Sequence, residues 1–450
     1  DVVVLDDENK ETKEKLEQYT WPLTIMCLCW GVTFLSSLDR IAMSVAILPL
    51  SSELAFSESV KGQISAIFSI GYGLAIIPSG LILSFASPRL MMGLGIAMWS
   101  LATLATPFAT SMGMPYLLAA RAAVGASESV VLPTLQTILS AWIPEDRKSM
   151  AFATVYSGFQ TGTVAAYLLS PYVIQFFENW RAVFYLYALL GLLWLLPWFS
   201  FAKDTPPPSL PNSPVVPKDN KNIDDNTKSI SEAINVIKNA PWKSFFTSAG
   251  VWAVIIAHAA SNWGLYNNLS WTPTFYAEQY GLNVRDSSLF SVLPSVAGAL
   301  GGFTAGATAD RIIRGMPNAT EADITKIRKI YQGIALYGPG ICLAFLAYRI
   351  PEQPLVAQSL LMGTVGLQAM NAAGYGPVCQ EKAGEKWTGL LYSVTTLPGV
   401  AFGSLGVYLT GRILDYTHQD WSQVFAINSM VDILGATGFV LLYNGKKEFD

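Results

Sequence analysis

Long apolar segments recur along the whole chain and limit what it can fold into. A helix needs about 20 mainly apolar residues to cross the hydrocarbon core of a bilayer, and it satisfies its own backbone hydrogen bonds there. The sequence holds about twelve such segments, near residues 21–49, 60–85, 90–110, 114–142, 149–176, 181–202, 244–276, 287–310, 328–349, 353–378, 387–414 and 422–443. This pattern predicts an all-α membrane protein with twelve transmembrane helices.

The composition agrees with that class. Hydrophobic residues make up 52% of the chain and charged residues 13%, whereas a soluble domain carries about 25% charged residues. A net charge of −4 without a basic patch gives no indication of a nucleic-acid partner. Cys27, Cys29, Cys342 and Cys379 lie in or at the ends of apolar segments, which indicates packing roles and predicts neither a disulfide framework nor a metal site.

Lysine and arginine are concentrated in alternate loops, on the side that also holds both termini. By the positive-inside rule, this asymmetry predicts that both termini face the cytosol or the equivalent compartment of an organelle. The chain begins at Asp1 instead of a methionine, which is consistent with removal of an N-terminal targeting segment.

The longest hydrophilic stretch divides the twelve segments into six and six. Its first part is rich in proline, which predicts an extended linker. The capping-box pattern from Ser229 to Glu232, with isoleucines on one helical face, predicts a short amphipathic helix after it. The predicted organisation is an acidic N-terminal tail (1–20), a six-helix bundle (21–202), a central loop (203–243) and a second six-helix bundle (244–445).

The two halves repeat each other weakly, in the same order and orientation. Four matches carry the repeat: Trp30-Gly31 with Trp263-Gly264, Phe68-Ser69 with Phe290-Ser291, Tyr156-Ser157 with Tyr392-Ser393, and Trp180 to Phe184 with Trp421 to Phe425. Parallel six-helix repeats with a site near the midplane between them are typical of the major facilitator architecture. The repeat therefore predicts that fold.

Several motifs resemble those of one family. GATADR at residues 306–311 resembles the G-x-x-x-D-R loop motif of the major facilitator superfamily, although its first-half counterpart, Gly80 to Arg89, lacks the acidic residue. DRIAMSVAILP at residues 39–49 and the pattern Arg121-x6-Glu128-x4-Pro133 resemble the anion:cation symporters. That family includes the vesicular glutamate transporters, sialin, and the plant plastid phosphate and anion transporters.

The plastid branch is the most similar. Its pattern is matched by YLL at 116–118, ILSAW at 138–142, VYSG at 155–158, NWG at 262–264 and WTPTFY at 271–276. The resemblance runs from about Leu38 to Leu442. It implies a secondary transporter that needs no resident cofactor, acts as a monomer, and lies in a plastid envelope or thylakoid membrane.

Two arginines and a glutamate, Arg40, Arg121 and Glu128, interrupt apolar segments. Each such group costs at least about 2.5–3.5 kcal/mol at the bilayer centre, so we expect all three to face a wet, protein-lined cavity. Arg121 and Glu128 are seven residues apart, about 10.5 Å along one helical face, which lets both line a cavity without pairing directly. The resemblance implies that Glu128 couples transport to protons. The alternative is a structural partner for either arginine.

Arg40 is the predicted substrate anchor, because a guanidinium stays charged and presents a planar donor fork to phosphate or carboxylate. The alternative is a structural ion pair with Asp39 or Glu128. Asp39 points about 100° away from Arg40 on a helix. It is predicted either to face another helix, such as that of Arg121, or to help hold sodium, and the sequence leaves both open.

Further binding candidates come from the resemblance. Tyr72 and Tyr266 match family positions that contact substrate, and Gln380 occupies a polar family position. Asn262 shares a helical face with Tyr266, and Arg121, which is predicted to line the cavity, is a further substrate contact. The alternative for the tyrosines and amides is a structural bridge between helices. His258 matches no family motif and is interpreted as a hydrogen-bond donor that packs helices together.

Two departures from the family reduce the number of candidate substrates. The glutamate-transporting members carry a histidine where Ser65 stands here and a second arginine where Ser261 stands. Without that arginine, one carboxylate of a dicarboxylate would be poorly compensated in a desolvated cavity. Inorganic phosphate is therefore the favoured substrate, with an organic monoanion such as ascorbate as the alternative, coupled to H⁺ or Na⁺ by alternating access.

Two other functional classes were compared with transport. An enzyme would need a nucleophile, metal cluster or phosphate-binding loop, and no such arrangement occurs at useful spacing. A non-transporting sensor or structural subunit on the same fold would have little reason to keep Arg40, Arg121 and Glu128 in the membrane at such cost. The sequence therefore favours a transporter.

Overall fold

A computed structural model describes the protein at residues 2–83, 86–143, 147–206, 238–316, 318, 320–383 and 385–449. Within these ranges the backbone is almost entirely helical, and the β structure there is limited to an isolated bridge between Ala383 and Phe449. The predicted all-α class is confirmed.

Seven helices follow one another in the described part of the first half. They are α1 (Val2–Leu54), α2 (Glu58–Leu83), α3 (Pro88–Met112), α4 (Met114–Glu128), α5 (Val131–Trp142), α6 (Lys148–Phe177) and α7 (Arg181–Phe201). The fourth predicted segment is thus divided at Ser129 and Val130. Helix α1 also runs through the predicted acidic tail, whose backbone is helical from Val2 onward.

The described part of the second half is also a succession of helices. Its helices are α8 (Trp242–Thr247), α9 (Ala249–Tyr280), α10 (Val284–Arg314), α11 (Glu321–Tyr348), α12 (Pro354–Gln368), a 3-10 helix (Ala369–Ala372), α13 (Val378–Lys382), α14 (Glu385–Tyr416) and α15 (Trp421–Leu442). The tenth predicted segment therefore comprises α12 and the 3-10 helix. The amphipathic helix predicted after Ser229 lies outside the described residues.

Helix positions agree with the twelve predicted segments. Among the described residues, nine helical stretches are long and apolar enough to cross a membrane. The remaining predicted segments, 149–176, 244–276 and 353–378, coincide with α6, α9 and α12.

The chain forms two compact units by its contacts. The first contains residues 1–39, 74–162 and 184–236, and the second contains residues 40–73, 163–183 and 237–450. Helices α1, α2, α6 and α7 each contribute to both units, because the boundaries at residues 39, 73, 162 and 183 fall inside them. The units therefore do not follow the division at the central loop, which remains a prediction.

Within the first unit, α3 packs against α4 and α5. Helix α6 lies directly on α1, where Thr33 Oγ1 donates to the carbonyl of Val155 at 2.8 Å. A side chain at Gly158 of α6 would collide with Thr33 and with the α1 backbone, so this approach requires a glycine.

Within the second unit, α9 packs against α14 and α15, and α12 packs against α10 and α11. The indole of Trp271 in α9 donates to the carbonyl of Val407 in α14 at 3.1 Å. Gly403 of α14 leaves no room for a side chain beside Tyr266, whose ring would lie 2.7 Å from an added Cβ. The seventh and eleventh segments thus meet through a glycine, as the first and fifth segments do in the other unit.

Candidate functional site

Arg121 and Glu128 lie on α4 in the first unit, and both are almost fully buried, with 2% and 1% of their surface exposed. Ser36 of α1 donates a hydrogen bond from Oγ to Oε2 of Glu128 at 2.9 Å. This bond fixes one carboxylate oxygen of Glu128 against the neighbouring helix. Sequence reasoning did not find Ser36, because serine is common in apolar helices and carries no charge to mark it.

Asp39 joins the same cluster from α1. Its Oδ2 accepts a hydrogen bond from Thr103 Oγ1 of α3 at 2.8 Å, and the carboxylate interacts electrostatically with both Arg121 and Glu128. Of the two predicted roles, the geometry matches a side chain that faces the helix of Arg121. Two carboxylates and one guanidinium leave one unbalanced negative charge when all are ionised. A single bound proton or sodium ion would neutralise that charge.

Arg40 lies in the second unit, although it follows Asp39 directly. Its guanidinium carbon sits 5.0 Å from the ring centroid of Phe68 and 5.7 Å from that of Tyr72, both on α2. Arg40 also interacts electrostatically with Tyr266 of α9. Both distances are within the range of a cation–π contact, so the two rings stabilise the charge of Arg40. Phe68 was not predicted, although it lies one helical turn before Tyr72.

The polar face of α9 carries His258, Asn262 and Tyr266 at intervals of four residues. His258 is buried, and its ring lies 4.8 Å from that of Tyr375 and 6.0 Å from that of Tyr392, centroid to centroid. Its surroundings are therefore aromatic side chains of other elements.

Ser261 is the residue that the resemblance described above matches to an arginine of the glutamate transporters. Its hydroxyl donates to the carbonyl of Ala257 at 2.7 Å, and its own carbonyl accepts from Gln368 Nε2 at 3.1 Å. The serine is thus bonded within its own helix and to α12. Among the described residues, it adds no charge to this face of α9.

Gln380 lies apart from these residues. It belongs to the short helix α13 and its side chain is exposed, next to the region where Lys382 binds Asn444 and Glu448. Tyr375, five residues earlier, is the residue of this segment that contacts His258.

A second charged cluster joins α2 to three helices of the second half, all within the second unit. Lys61 Nζ binds Glu58 Oε1 at 2.7 Å and Glu278 Oε1 at 2.9 Å, and Trp421 Nε1 donates to Glu278 Oε2 at 3.2 Å. Asp415 accepts from the backbone N–H groups at the start of α2, at Glu58 and Ser59, at 2.9 Å each. A carboxylate at this position caps the helix and complements its dipole.

An open cavity of about 530 Å³ adjoins this charged cluster. Glu58, Lys61 and Glu278 form part of its wall, together with Leu48 and Gln419. Sequence reasoning missed the cluster because its principal ion pair joins residues 217 positions apart.

The described residues include no candidate metal site. No group of three histidine, cysteine, aspartate or glutamate side chains there is placed to hold a metal ion. What the described residues offer is a guanidinium beside aromatic rings, a neutral polar helix face and a buried carboxylate cluster. These groups can bind an anion and exchange a proton or a monovalent cation.

The chain is similar in sequence to a protein family and to several named plant proteins. A family model described as the Major Facilitator Superfamily matches residues 29–407. Sodium-dependent phosphate transport protein 1, chloroplastic, of Arabidopsis thaliana is 33% identical over 449 residues, which cover 100% of this chain and 84% of that protein. Ascorbate transporter, chloroplastic, of the same plant is 33% identical over 435 residues, covering 96% and 77%. Probable anion transporter 1, chloroplastic, of Oryza sativa subsp. japonica is 32% identical over 448 residues, covering 99% and 81%.

Solved structures resemble the chain in fold. A bacterial homologue of the human lysosomal transporter Spinster, inward-facing and occupied, superposes with a TM-score of 0.72 at 15% identity, covering 94% of this chain and 97% of the other. A D-xylose-proton symporter superposes with a TM-score of 0.71 at 13% identity, covering 96% and 100%.

The Lys61 cluster generates a stability prediction. Replacing Lys61 with Met leaves Glu58 and Glu278 close together without their shared cation, so we expect the free energy of unfolding to fall by about 3–5 kcal/mol. Thermal unfolding of the purified protein in detergent measures the effect, and the double variant K61M/E278Q should recover part of the loss.

The matched control is Arg349→Met, which removes the cation of an exposed pair with Glu352. Exposed pairs contribute little, so this variant should unfold like the wild type. Equal unfolding temperatures for the Lys61 and Arg349 variants would contradict a structural role for the cluster.

Proposed function

Since this chain belongs to the Major Facilitator Superfamily, we propose that it is a secondary active transporter of a small anion, with inorganic phosphate as its principal substrate. The observation that carries the proposal is the setting of Arg40, whose guanidinium lies over the rings of Phe68 and Tyr72 and near Tyr266. A guanidinium is a planar donor fork that matches phosphate or carboxylate. Relatives named as phosphate, ascorbate and anion transporters support the same class, and they are transporters, not enzymes.

The charge around Arg40 supports a small or singly charged substrate. The α9 face opposite contributes Asn262 and Tyr266, which are neutral, and Ser261 stands where the glutamate transporters carry a second arginine. A dicarboxylate would leave one of its charges without a counter-charge in a desolvated site. An organic monoanion such as ascorbate is the second candidate, favoured by the relative named as an ascorbate transporter.

Coupling is assigned to the buried cluster of Asp39, Arg121 and Glu128. The proposal makes Glu128 the group that takes up and releases the proton, with Ser36 keeping its carboxylate in position. Arg121 stabilises the ionised form and can contact the substrate. The relative named as sodium-dependent supports a second version, in which Asp39 helps to hold sodium instead.

Alternating access needs contacts that break and form again. The bonds of Lys61 with Glu278, and of Asp415 with the start of α2, join segments that belong to different sequence repeats. We assign to them the closure of one end of the transport path. We propose that an anion enters through the adjoining cavity, whose wall includes Lys61 and Glu278, once these bonds are broken.

The membrane that contains the protein is inferred from its relatives. Those cited above are named as chloroplastic, so we place this chain in a plastid membrane, as an envelope or thylakoid protein. It is proposed to work as a monomer with both termini on the cytosol-equivalent side. A sensor or structural subunit on the same fold is the different-class alternative, and liposomes containing the purified protein would then take up no anion.

The charges around Arg40 predict which anions compete for uptake. In proteoliposomes, uptake of radiolabelled phosphate should be inhibited by unlabelled phosphate or ascorbate far more strongly than by glutamate or malate, because the second carboxylate lacks a counter-charge. Competition curves at fixed pH and membrane potential measure the ranking. Strong inhibition by the dicarboxylates would reverse it.

Arg40→Lys tests the substrate anchor. Lysine keeps the charge but loses the bidentate fork, so the KM for substrate should rise roughly tenfold while the protein still folds and inserts. Arg412→Lys, an exposed position on α14, is the matched control and should transport like the wild type. Unchanged affinity and rate in the Arg40 variant would show that the arginine does not bind the substrate.

Glu128→Gln separates coupling from binding. Glutamine resembles the protonated glutamate and can still accept a hydrogen bond from Ser36, so the variant should mimic the proton-loaded state. We expect accumulation driven by a pH gradient to collapse, while exchange of external for internal substrate persists, because exchange requires no net proton movement.

Coupling of this kind matters because a membrane potential opposes anion entry into a negative compartment by about 2.3 kcal/mol per charge per 100 mV. Glu352→Gln, at an exposed glutamate, is the control and should accumulate substrate normally. If the Glu128 variant still accumulates substrate in response to pH alone, coupling lies elsewhere and the sodium mechanism through Asp39 is favoured.

A further inference from the structure

Three aromatic side chains that the proposed transport mechanism does not use meet beside the polar face of α9. They are His258 of α9, Tyr375 in the turn between the 3-10 helix and α13, and Tyr392 of α14. The His258 ring lies 4.8 Å from the Tyr375 ring at an interplanar angle of 40°, and 6.0 Å from the Tyr392 ring at 56°. We call these three residues the aromatic subsite.

Two polar groups of the aromatic subsite have no hydrogen-bond partner among the described residues. His258 is only 5% exposed, yet its Nδ1 has no partner there. The hydroxyl of the half-buried Tyr375 makes no hydrogen bond within the same ranges, whereas the Tyr392 side chain bonds with Thr396 of its own helix. A buried polar atom left unpaired is costly, so His258 Nδ1 beside two phenol rings indicates a place that a ligand completes.

The aromatic subsite lies along the same helix face as the predicted anion contacts. His258 and Tyr266 are eight residues apart on α9, about 12 Å along the axis, with Asn262 between them. Tyr266 interacts electrostatically with Arg40 and with Tyr392. Arg40 and the aromatic subsite therefore both lie within reach of the Tyr266 side chain. All of these residues belong to the second unit.

The packing of α14 brings the subsite together and leaves it accessible. Gly399 of α14 lies so close to α9 that an added Cβ would come within 2.9 Å of Asn262 Nδ2 and 3.3 Å of His258 Cδ2. Tyr392 lies two turns before Gly399, on the same face of α14. It is 47% exposed although its ring borders a buried histidine.

The aromatic subsite carries no fixed charge. Among the described residues, no charged side chain interacts with His258, and the groups that interact electrostatically with Tyr375 are Tyr392, Tyr266 and Cys379. A phenol hydroxyl can donate or accept a hydrogen bond, and a neutral imidazole does each with one of its nitrogens. These groups suit a ligand that presents hydroxyls, and they bring no positive charge to balance a second negative charge.

We propose that His258, Tyr375 and Tyr392 bind the uncharged, hydroxyl-bearing end of a singly charged anion whose charged end is bound by Arg40. This inference rests on the proposed transport function and adds to it the residues that bind the uncharged end of the substrate. The chemistry is shared by dihydrogen phosphate, which presents P–OH groups, and by an organic hydroxy acid anion. A site built to hydrogen-bond a hydroxyl rejects an analogue without one, because its own polar groups are then left unpaired.

The test compares anions of equal charge with and without hydroxyls. Binding of dihydrogen phosphate and methanesulfonate, and of lactate and propionate, is measured by calorimetry on the purified full-length protein, at a pH where phosphate is singly charged. The variants are Tyr375→Phe, Tyr392→Phe, the double variant, and His258→Phe, which keeps a ring and removes both nitrogens. Tyr416→Phe, on α14 and 89% exposed, is the matched control.

The wild type and the control should prefer the hydroxylated member of at least one pair. Each single tyrosine variant should lower that preference about three- to tenfold, and the double variant further, while affinity for the hydroxyl-free member stays within about twofold. The pair whose preference falls more identifies the substrate as inorganic or organic.

Two results would overturn the subsite. If Arg40→Lys weakens binding of the anions but the tyrosine and histidine variants keep the preference of the Tyr416 control, the subsite is refuted and the proposed function stands. If the wild type binds none of the four anions, the proposed function fails and the subsite fails with it.

Discussion

A charged side chain within the bilayer must find its counter-charge and hydrogen bonds inside the protein, and this constraint organises the first unit. Asp39 and Glu128 are buried beside Arg121, and Thr103 and Ser36 each donate a hydroxyl to one of the carboxylates. These residues come from α1, α3 and α4. Separating α1 from α4 would leave Asp39 without the charge of Arg121 at low dielectric constant, and separating α3 would remove a hydrogen bond from Asp39. Close packing of these helices is therefore a condition for keeping the charges in the membrane.

Most other buried polar groups need no such partner helix. Serine and threonine hydroxyls repeatedly donate to the carbonyl four residues earlier, as Thr110 does to Thr106 and Ser261 does to Ala257. A hydroxyl satisfied within its own helix can sit at any depth or interface without marking a site. His258 differs because its Nδ1 is buried and has no hydrogen-bond partner among the described residues, and this difference makes it informative.

The two sequence repeats share a packing plan but differ in chemistry. Glycines at Gly158 and Gly403 bring the fifth and eleventh segments onto the first and seventh. The charges that suit coupling gather on α1 and α4, whereas α9, the counterpart of the first segment, carries neutral His258, Asn262 and Tyr266. In the proposed transporter, the residues that couple transport to an ion lie in the first repeat. The residues that bind the uncharged part of the substrate lie in the second repeat.

The sequence alone determined the membrane class, the helix positions and the charged candidates, because apolar length and a charge within it are local properties. Arg40, Arg121 and Glu128 stood out for that reason. Only the tertiary structure placed Asp39 and Arg40 in different units, paired Lys61 with Glu278, and brought Tyr375 and Tyr392 to His258. Tyrosines are common in apolar helices, and their contacts depend on how distant segments pack, which no local pattern records.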